Sequence, residues 1–233
     1  MLETLRRDVR AVLDRDPAAR SALEVILLYP GLHAVWAHRI SHWLWSHRLM
    51  LLARACSTLA RLLTGVDIHP GAVLGGGLFI DHATGVVIGE TAEAGENVTL
   101  YQGVTLGGTR NERGKRHPSV GDRVTIGAGA KVLGPIVIGD DSRIGANAVV
   151  VKPVPANSVV VGVPGQIIVR SRLRASDGSL DLDGSVVPDL FGASLESVLS
   201  RIDRLEDALP NGASPSHARP SPSGVWSGED FSI

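Results

Sequence analysis

Two residues in the first half of the chain have the chemical types of a general base and its supporting carboxylate. His82 lies in the segment 80–85, and Asp67 lies fifteen positions before it. A neutral imidazole can remove a proton from a hydroxyl group, and a neighbouring carboxylate can fix the tautomer of the ring and stabilise the imidazolium that forms. A His and an Asp in a repeat are also commonly solvated or capping residues, so their spacing fits both interpretations.

The surrounding sequence has a period of six, and this repeat must position the two residues. Apolar residues recur at this step over 120–150, over 68–80 and, after a phase change of two residues at 85–87, over 88–106. A period of six fits neither an amphipathic helix nor an alternating strand, and it predicts short strands that stack as a parallel β-helix. One coil takes about eighteen residues, so we expect Asp67 and His82 to lie nearly one coil apart, which makes a contact between them geometrically reasonable.

Helices are predicted for residues 1–64. The pair Asp16-Pro17 has the residue types of a helix start, and the segment 21–24 has the spacing of a capping box. Apolar residues then recur at helical spacing over 32–47 and 49–63. We therefore expect an α-helical domain before the repeat begins.

The repeat is expected to occupy residues 65–169, with a polar, glycine-rich loop at 107–119 expelled from it. Residues 170–233 form a tail rich in Ser, Pro, Gly and Asp. In this tail, apolar spacing predicts one helix at 194–209, and composition predicts partial disorder elsewhere. The expected fold is thus a helical domain, a β-helix domain and a partly disordered C-terminal tail.

The charge balance excludes some classes of partner. The chain has 23 Lys and Arg against 24 Asp and Glu, so no net field draws it to nucleic acid or to an anionic membrane. Its single cysteine, Cys56, excludes an intramolecular disulfide and a CxxC motif, which favours a reducing compartment such as the cytoplasm. The most apolar early segment, 49–63, contains Arg54 and Arg61, so neither a signal peptide nor a membrane-spanning helix is predicted.

Five short motifs resemble the serine O-acetyltransferase family, a bacterial branch of the hexapeptide-repeat acyltransferases. They lie at 67–70, 81–85, 103–109, 115–118 and 162–164. The resemblance covers about residues 14–168, and the combination is more specific than the repeat, which other hexapeptide proteins share. It implies a left-handed β-helix and transfer of an acetyl group from acetyl-CoA to the hydroxyl of L-serine. This reaction gives O-acetyl-L-serine and CoA and is the first step of cysteine biosynthesis from serine.

The same resemblance implies roles for individual residues. His82 would be the general base for direct attack of serine on acetyl-CoA, without an acyl-enzyme, and Asp67 would orient its ring. Two acidic residues would face the serine ammonium, while an Arg–His pair in the loop would take the carboxylate, a task suited to a planar guanidinium. The matching positions are Asp16, Asp81, Arg116 and His117.

Ligands and partners are implied as well. Acetyl-CoA would be a co-substrate, with no permanently bound cofactor, in the groove between neighbouring copies of a homotrimer. The helical domain is shorter than in enterobacterial members, so we expect a single trimer rather than a pair. L-Cysteine would inhibit at the serine site, and the terminal Ile233 would insert into the active site of O-acetylserine sulfhydrylase. The positions that match contacts to acetyl-CoA are Gly108, Thr109, Ala128, Arg143 and Ala146.

A zinc enzyme of the carbonic-anhydrase type on the same fold is one alternative, with three histidines around a metal between copies. The candidate ligands would be His69, His82 and His117. His38 and His42 lie four positions apart on a predicted helix, but no HExxH motif accompanies them, and a half-buried helix face explains them better. We therefore expect no bound metal.

Two further alternatives remain. A non-catalytic repeat scaffold would not need Asp67, His82 and Arg116 together. An acetyltransferase for a sugar or antibiotic hydroxyl would need the base but not the groups that hold an amino acid at both ends. The choice of acceptor is therefore the point on which the functions differ.

Overall fold

The structure is a computed structural model and describes residues 2–170. Within that range, four helices precede the strands: α1 (Leu2–Arg15), α2 (Ala22–Leu28), α3 (Pro30–Ser46) and α4 (Met50–Thr64). None of these described helices has both the length and the apolar character that crossing a bilayer requires. The predicted tail helix at 194–209 and the terminal Ile233 lie outside the described residues.

Local hydrogen bonds set the ends of the first two helices. The predicted helix start at Asp16 is wrong, because its N–H closes the last turn of α1 at 2.8 Å, and its carboxylate accepts the N–H of Ala18 at 2.8 Å in the following turn. The N-cap half of the predicted capping box is confirmed at Ser21, and the return contact of Glu24 is to the preceding residue. Ser21 Oγ accepts the N–H of Glu24 at 3.2 Å, and Glu24 reaches back to the N–H of Arg20 at 3.1 Å.

Short strands separated by turns make up the rest of the described chain. They are β1 (Asp67–Ile68), β2 (Val73–Leu74), β3 (Phe79–Ile80), β4 (Val87–Ile88), β5 (Glu93–Ala94), β6 (Thr99–Leu100), β7 (Thr105–Gly107), β8 (Ser119–Val120), β9 (Thr125–Ile126), β10 (Lys131–Leu133), β11 (Val137–Ile138), β12 (Arg143–Ile144), β13 (Val149–Val150), β14 (Ser158–Val161) and β15 (Gln166–Arg170). No strand in residues 2–170 exceeds five residues.

The strands form three sheets, ordered β1-β4-β7-β10-β13, β2-β5-β8-β11 and β3-β6-β9-β12-β14-β15. Pairing between successive coils is parallel, and the final pair, β14 with β15, is antiparallel. The chain visits the three sheets in rotation up to β13. The parallel β-helix that the six-residue period predicts is therefore present.

Apolar side chains stack in columns inside the coils. In the first sheet, strand register aligns one buried residue from each coil: Ile68, Ile88, Leu106, Val132 and Val150. Burying a side chain of this size stabilises the fold by roughly 1.5–3 kcal/mol, so each coil extends one continuous core.

The phase change in the repeat is an insertion of two residues after β3. Eight positions separate Phe79 from Val87, whereas six separate Thr99 from Thr105 in the next coil. The extra residues are 82 and 83, which have φ angles of 56° and 55° and form a left-handed turn. The sequence predicts the phase change at 85–87, but the inserted residues lie a few positions earlier. The strands are already back in register at Val87.

The helical part packs directly on the first coil. Gly31, at the start of α3, lies so close to the Ile80 carbonyl that a side chain there would overlap it. Further along α3, His38 donates through Nε2 to the carbonyl of Ala72 at 3.2 Å, and His42 donates through Nδ1 to a neighbouring carbonyl at 2.8 Å. These two histidines therefore join a helix to the β-helix.

Candidate active site

His82 projects from the inserted turn. Its side chain is 71% exposed, and its Nε2 lies 3.7 Å from Oδ2 of Asp81, which is itself largely covered. Both His82 and Ala83 have left-handed backbones, which turns the imidazole outward while the methyl group of Ala83 is buried in the core. The insertion thus presents an unobstructed imidazole at one corner of the coil.

Asp67 lies in the coil directly below, but its carboxylate is bound elsewhere. Its Oδ2 is 3.1 Å from a guanidinium nitrogen of Arg61, near the end of α4. The turn that carries His82 is tied to the same region, since the N–H of Gly85 donates to the carbonyl of Gly65 at 2.9 Å. The two segments are adjacent, and the expected contact between Asp67 and His82 is replaced by the pair with Arg61.

Asp16 is bound by a tyrosine that the sequence did not single out. The hydroxyl of Tyr29 donates to Oδ2 of Asp16 at 2.7 Å. This hydrogen bond, together with burial and the negative charges of Asp16, Glu24 and Asp81, raises the pKa of Tyr29 to about 12. Asp16 thus contacts the phenol directly, and Asp81 acts on it only through its charge.

Arg116 and His117 stand where the expelled loop rejoins the coil at β8. A guanidinium nitrogen of Arg116 lies 2.5 Å from Oε2 of Glu90, and this hydrogen bond lowers the pKa of the Glu90 carboxyl. His117 is 7% exposed, and its ring is bound by Thr91. Burial, and then the charge of Arg116, lowers the pKa of His117.

The two groups of candidate residues occupy different corners of the triangular coil. His82 lies in the turn that leads into the first sheet, and Arg116 binds the turn that leaves it after β4. A side of six residues at about 3.3 Å each spans roughly 20 Å, far more than a hydrogen bond. One copy of the chain therefore does not join the candidate base to the Arg–His pair.

The positions matched to acetyl-CoA divide in the same way. Ala128 and Ala146 lie in turns stacked above the turn of His82, since the N–H of Asn147 donates to the carbonyl of Ala128 at 2.8 Å. Gly108 lies beside the Arg–His pair, where an added Cβ would be 3.3 Å from Nε2 of His117.

Thr109 and Arg143 complete the set. Thr109 follows Gly108 in the loop and faces Gly134, whose added Cβ would lie 3.2 Å from its hydroxyl. Arg143 begins β12 in the third sheet, paired in register with Thr125 and Val159. The corner of His82 thus carries Ala128 and Ala146, and the corner of Arg116 carries Gly108 and Thr109. Arg143 lies on the third sheet.

The three histidines considered as zinc ligands do not group in one copy. His69 accepts the N–H of Gly71 through Nδ1 at 3.0 Å and packs edge-on against Trp45 at 5.0 Å between ring centroids. Among residues 2–170, no three His, Cys, Asp or Glu side chains lie together in a way that would hold a metal ion.

Comparisons with known proteins agree on one family. The family model for the N-terminal part of serine acetyltransferases matches residues 1–37, and that for the bacterial transferase hexapeptide, six repeats, matches residues 117–152. The chain is 63% identical over 234 residues to a serine acetyltransferase of Mycobacterium tuberculosis (strain ATCC 25618 / H37Rv), with all of both chains covered.

Solved structures give the same result. A Neisseria gonorrhoeae serine acetyltransferase in complex with serine is 45% identical, with a TM-score of 0.70 over 72% of this chain and 69% of that one. A Brucella abortus serine acetyltransferase in complex with coenzyme A is 47% identical, with a TM-score of 0.70 over 72% and 67%. A serine acetyltransferase in complex with cysteine is 44% identical, with a TM-score of 0.71 over 72% and 70%.

Proposed function

This chain belongs to the serine acetyltransferase family, and we propose that its active site is completed by two copies of the chain. It is an acetyl-CoA-dependent enzyme that transfers the acetyl group to the hydroxyl of L-serine, giving O-acetyl-L-serine and CoA. The observation that carries the proposal is the separation of His82 and Arg116 onto different corners of the coil.

His82 acts as the general base of the reaction. Its imidazole takes the proton of the serine hydroxyl as the oxygen attacks the thioester carbonyl, and a tetrahedral intermediate forms. When that intermediate collapses, the C–S bond breaks and the imidazolium returns the proton to the departing CoA sulfur. The high exposure of His82 supports this role, because both reactants must reach its ring.

Asp67 orients the imidazole during this step. Arg61 binds Oδ2 of Asp67, and in the assembled site we expect Oδ1 to accept the N–H of the His82 ring. A carboxylate in that position stabilises the imidazolium that appears in the transition state.

Serine is held at both ends by residues from two copies. Arg116 and His117 of one copy bind the carboxylate, and Asp16 and Asp81 of the neighbouring copy bind the ammonium. In the free chain, Glu90 holds the Arg116 guanidinium in place. The remaining N–H groups of the guanidinium can donate hydrogen bonds to a second carboxylate. L-Cysteine carries the same ammonium and carboxylate, so it inhibits by occupying this site.

The assembly is a homotrimer of left-handed β-helices, which brings a base corner of one copy against a loop corner of the next. Acetyl-CoA lies along this groove as co-substrate, with Gly108 and Thr109 on one wall and Ala128 and Ala146 on the other. Small residues there let the pantetheine arm approach the backbone. Arg143 lies toward the phosphates.

Two further expectations concern the cell. The enzyme works in the cytoplasm, which suits the single free thiol of Cys56. Ile233, beyond the described residues, inserts into O-acetylserine sulfhydrylase, the enzyme that consumes the product. A pull-down with the full chain and with a chain lacking Ile233 tests this contact.

The proposed reaction is tested by thiol release from acetyl-CoA with and without L-serine, using the intact chain and His82→Ala. We expect release that requires serine and falls by several orders of magnitude in the variant. Release that is equal with a sugar or antibiotic hydroxyl acceptor, or full activity of the variant, would overturn the assignment.

A further inference from the structure

Thr91 contacts the end of the loop at 107–119. It lies in the turn after β4, and its hydroxyl contacts both Arg116 and His117 across a gap of 25 residues in sequence. Oγ1 accepts the backbone N–H of Arg116 at 3.1 Å and that of His117 at 3.2 Å. The same oxygen lies 2.9 Å from Nδ1 of the His117 ring.

These contacts determine the direction of the third hydrogen bond. A hydroxyl has two acceptor lone pairs and one proton, and the two backbone N–H groups occupy the lone pairs. The proton is then available only for the ring, so Oγ1 donates to Nδ1 of His117. Both lone pairs and the proton of the Thr91 hydroxyl are therefore engaged by Arg116 and His117.

The backbone N–H of Thr91 favours the same assignment through a longer contact. Its N–H lies 3.2 Å from Nδ1 of His117, and an amide N–H can only donate. Nδ1 therefore accepts and carries no proton. In a neutral imidazole, the proton is then on Nε2.

The ring also has no room to reverse. His117 is almost completely buried, and its Cδ2 and Nε2 edge lies against Gly89, where any added Cβ would overlap the ring. The Nε2 edge faces Gly108, at the start of the loop. The ring is thus held between two glycines with one N–H directed away from Thr91.

We propose that Thr91 is a positioning residue, which holds His117 as the Nε2–H tautomer and fixes the backbone from which Arg116 reaches the serine carboxylate. This inference rests on the proposed function, because that function places Arg116 and His117 at the carboxylate. His117 then offers a hydrogen-bond donor, not an acceptor, to the substrate. A donor is what a carboxylate requires, since its oxygens only accept.

Other features support a neutral ring. Burial and the adjacent Arg116 charge both favour the uncharged imidazole, while Glu90 opposes them. A doubly protonated ring would also point its Nδ1 proton at the N–H of Thr91. The arrangement therefore keeps one donor on His117 without a second positive charge beside Arg116.

Three forms of the full chain test the inference: wild type, Thr91→Ser, which keeps the hydroxyl, and Thr91→Val, which keeps the shape without it. The first measurement is the ring nitrogen spectrum of 15N-histidine-labelled protein, without substrate. The second is the KM for serine, compared with the KM for acetyl-CoA and with kcat.

We expect His117 to be the Nε2–H tautomer in wild type and Thr91→Ser, and a mixture of tautomers in Thr91→Val. The KM for serine rises about tenfold in Thr91→Val, as the loss of a hydrogen bond network would cause, while the KM for acetyl-CoA and kcat change less. Thr91→Ser restores most of the serine affinity.

An Nδ1–H ring in the wild type overturns the inference directly, even if Thr91→Val fails to fold. A Thr91→Val spectrum identical to wild type overturns the positioning role of the hydroxyl, because the backbone N–H of residue 91 alone would then hold the tautomer. If the tautomer changes but the KM for serine does not, the positioning role is overturned, and the error lies in placing His117 at the carboxylate. The spectrum needs no activity, so the tautomer is decided even if no serine is acetylated.

Discussion

The imidazole of His117 lies against the backbone of Gly89, so closely that a methyl group on Gly89 would occupy the space of the ring. Gly89 does not have a positive φ angle, so its backbone conformation does not itself require glycine. The residue is needed because a loop side chain from the next coil rests on it. Arg116 and His117 pack against the surface formed by residues 89–91.

Gly89→Ala is expected to displace the His117 ring while leaving the coil intact. Misplacing a substrate-positioning group by about 1 Å can cost up to a hundredfold in rate, so kcat/KM for serine should fall roughly ten- to a hundredfold. Gly76→Ala is the matched control, because its added Cβ would lie 3.1 Å from the end of the flexible Arg7 side chain. Equal activity of the two variants would contradict the role of Gly89.

Glu90→Gln should weaken serine binding by loosening Arg116. The lost charged hydrogen bond predicts a KM for serine raised roughly threefold to tenfold, with little change in the KM for acetyl-CoA. Glu93→Gln is the control, since Glu93 binds Lys115 and Ser119 rather than Arg116. A control that raises the KM for serine as much would show a general loss of loop order instead.

The ion pair between Glu90 and Arg116 predicts that the free energy of unfolding depends on pH. Arg116 holds the pKa of Glu90 below its ordinary value of 4.5, so the contribution of the carboxylate is present above pH 4.5 and lost as the pH falls through the lower folded value. The difference in free energy of unfolding between wild type and Glu90→Gln should therefore shrink on acidification below pH 4.5. Urea denaturation at a series of pH values measures it, and a difference that grows toward acid would contradict the pairing.

Tyr29→Phe should release Oδ2 of Asp16. We expect a loss of about 1 kcal/mol in the free energy of unfolding near neutral pH, as for a typical hydrogen bond, and a raised KM for serine. The folded pKa of Tyr29 is about 12 against an ordinary 10.0, so its stabilising effect is complete below pH 10 and is lost as the pH rises toward 12. Wild type and Tyr29→Phe should converge in stability over that range, and parallel curves would count against the hydrogen bond.

The repeat was predictable because it is a one-dimensional pattern. Residues six apart, such as Ile126 and Val132, are buried because each lies on one inner face of a coil, and this needs no knowledge of distant contacts. The helix start at Asp16 failed for a related reason. Asp is favoured both before a helix and in the turn after one, and here its N–H completes α1 instead.

Contacts across the coil were harder to foresee. The sequence places Asp67 and His82 near one another, but it carries no signal that Arg61 would reach Oδ2 of Asp67 first. Thr91 was missed because its partners lie on the far side of a long loop, and a threonine in a turn has no distinctive pattern. The packing contact of Gly89 and the polar contacts of Glu90 and Thr91 with one loop end would all have to be known before this role could be inferred.

The most direct test of a site shared by two copies is serine-dependent CoA release from trimers assembled from equal amounts of His82→Ala and Arg116→Ala chains. Each variant alone should be nearly inactive. A site with both intact halves forms where an Arg116→Ala copy supplies His82 and a His82→Ala copy supplies Arg116, so over all randomly assorted trimers about one quarter of wild-type activity should return. Mixed trimers no more active than the separate variants would contradict the shared site.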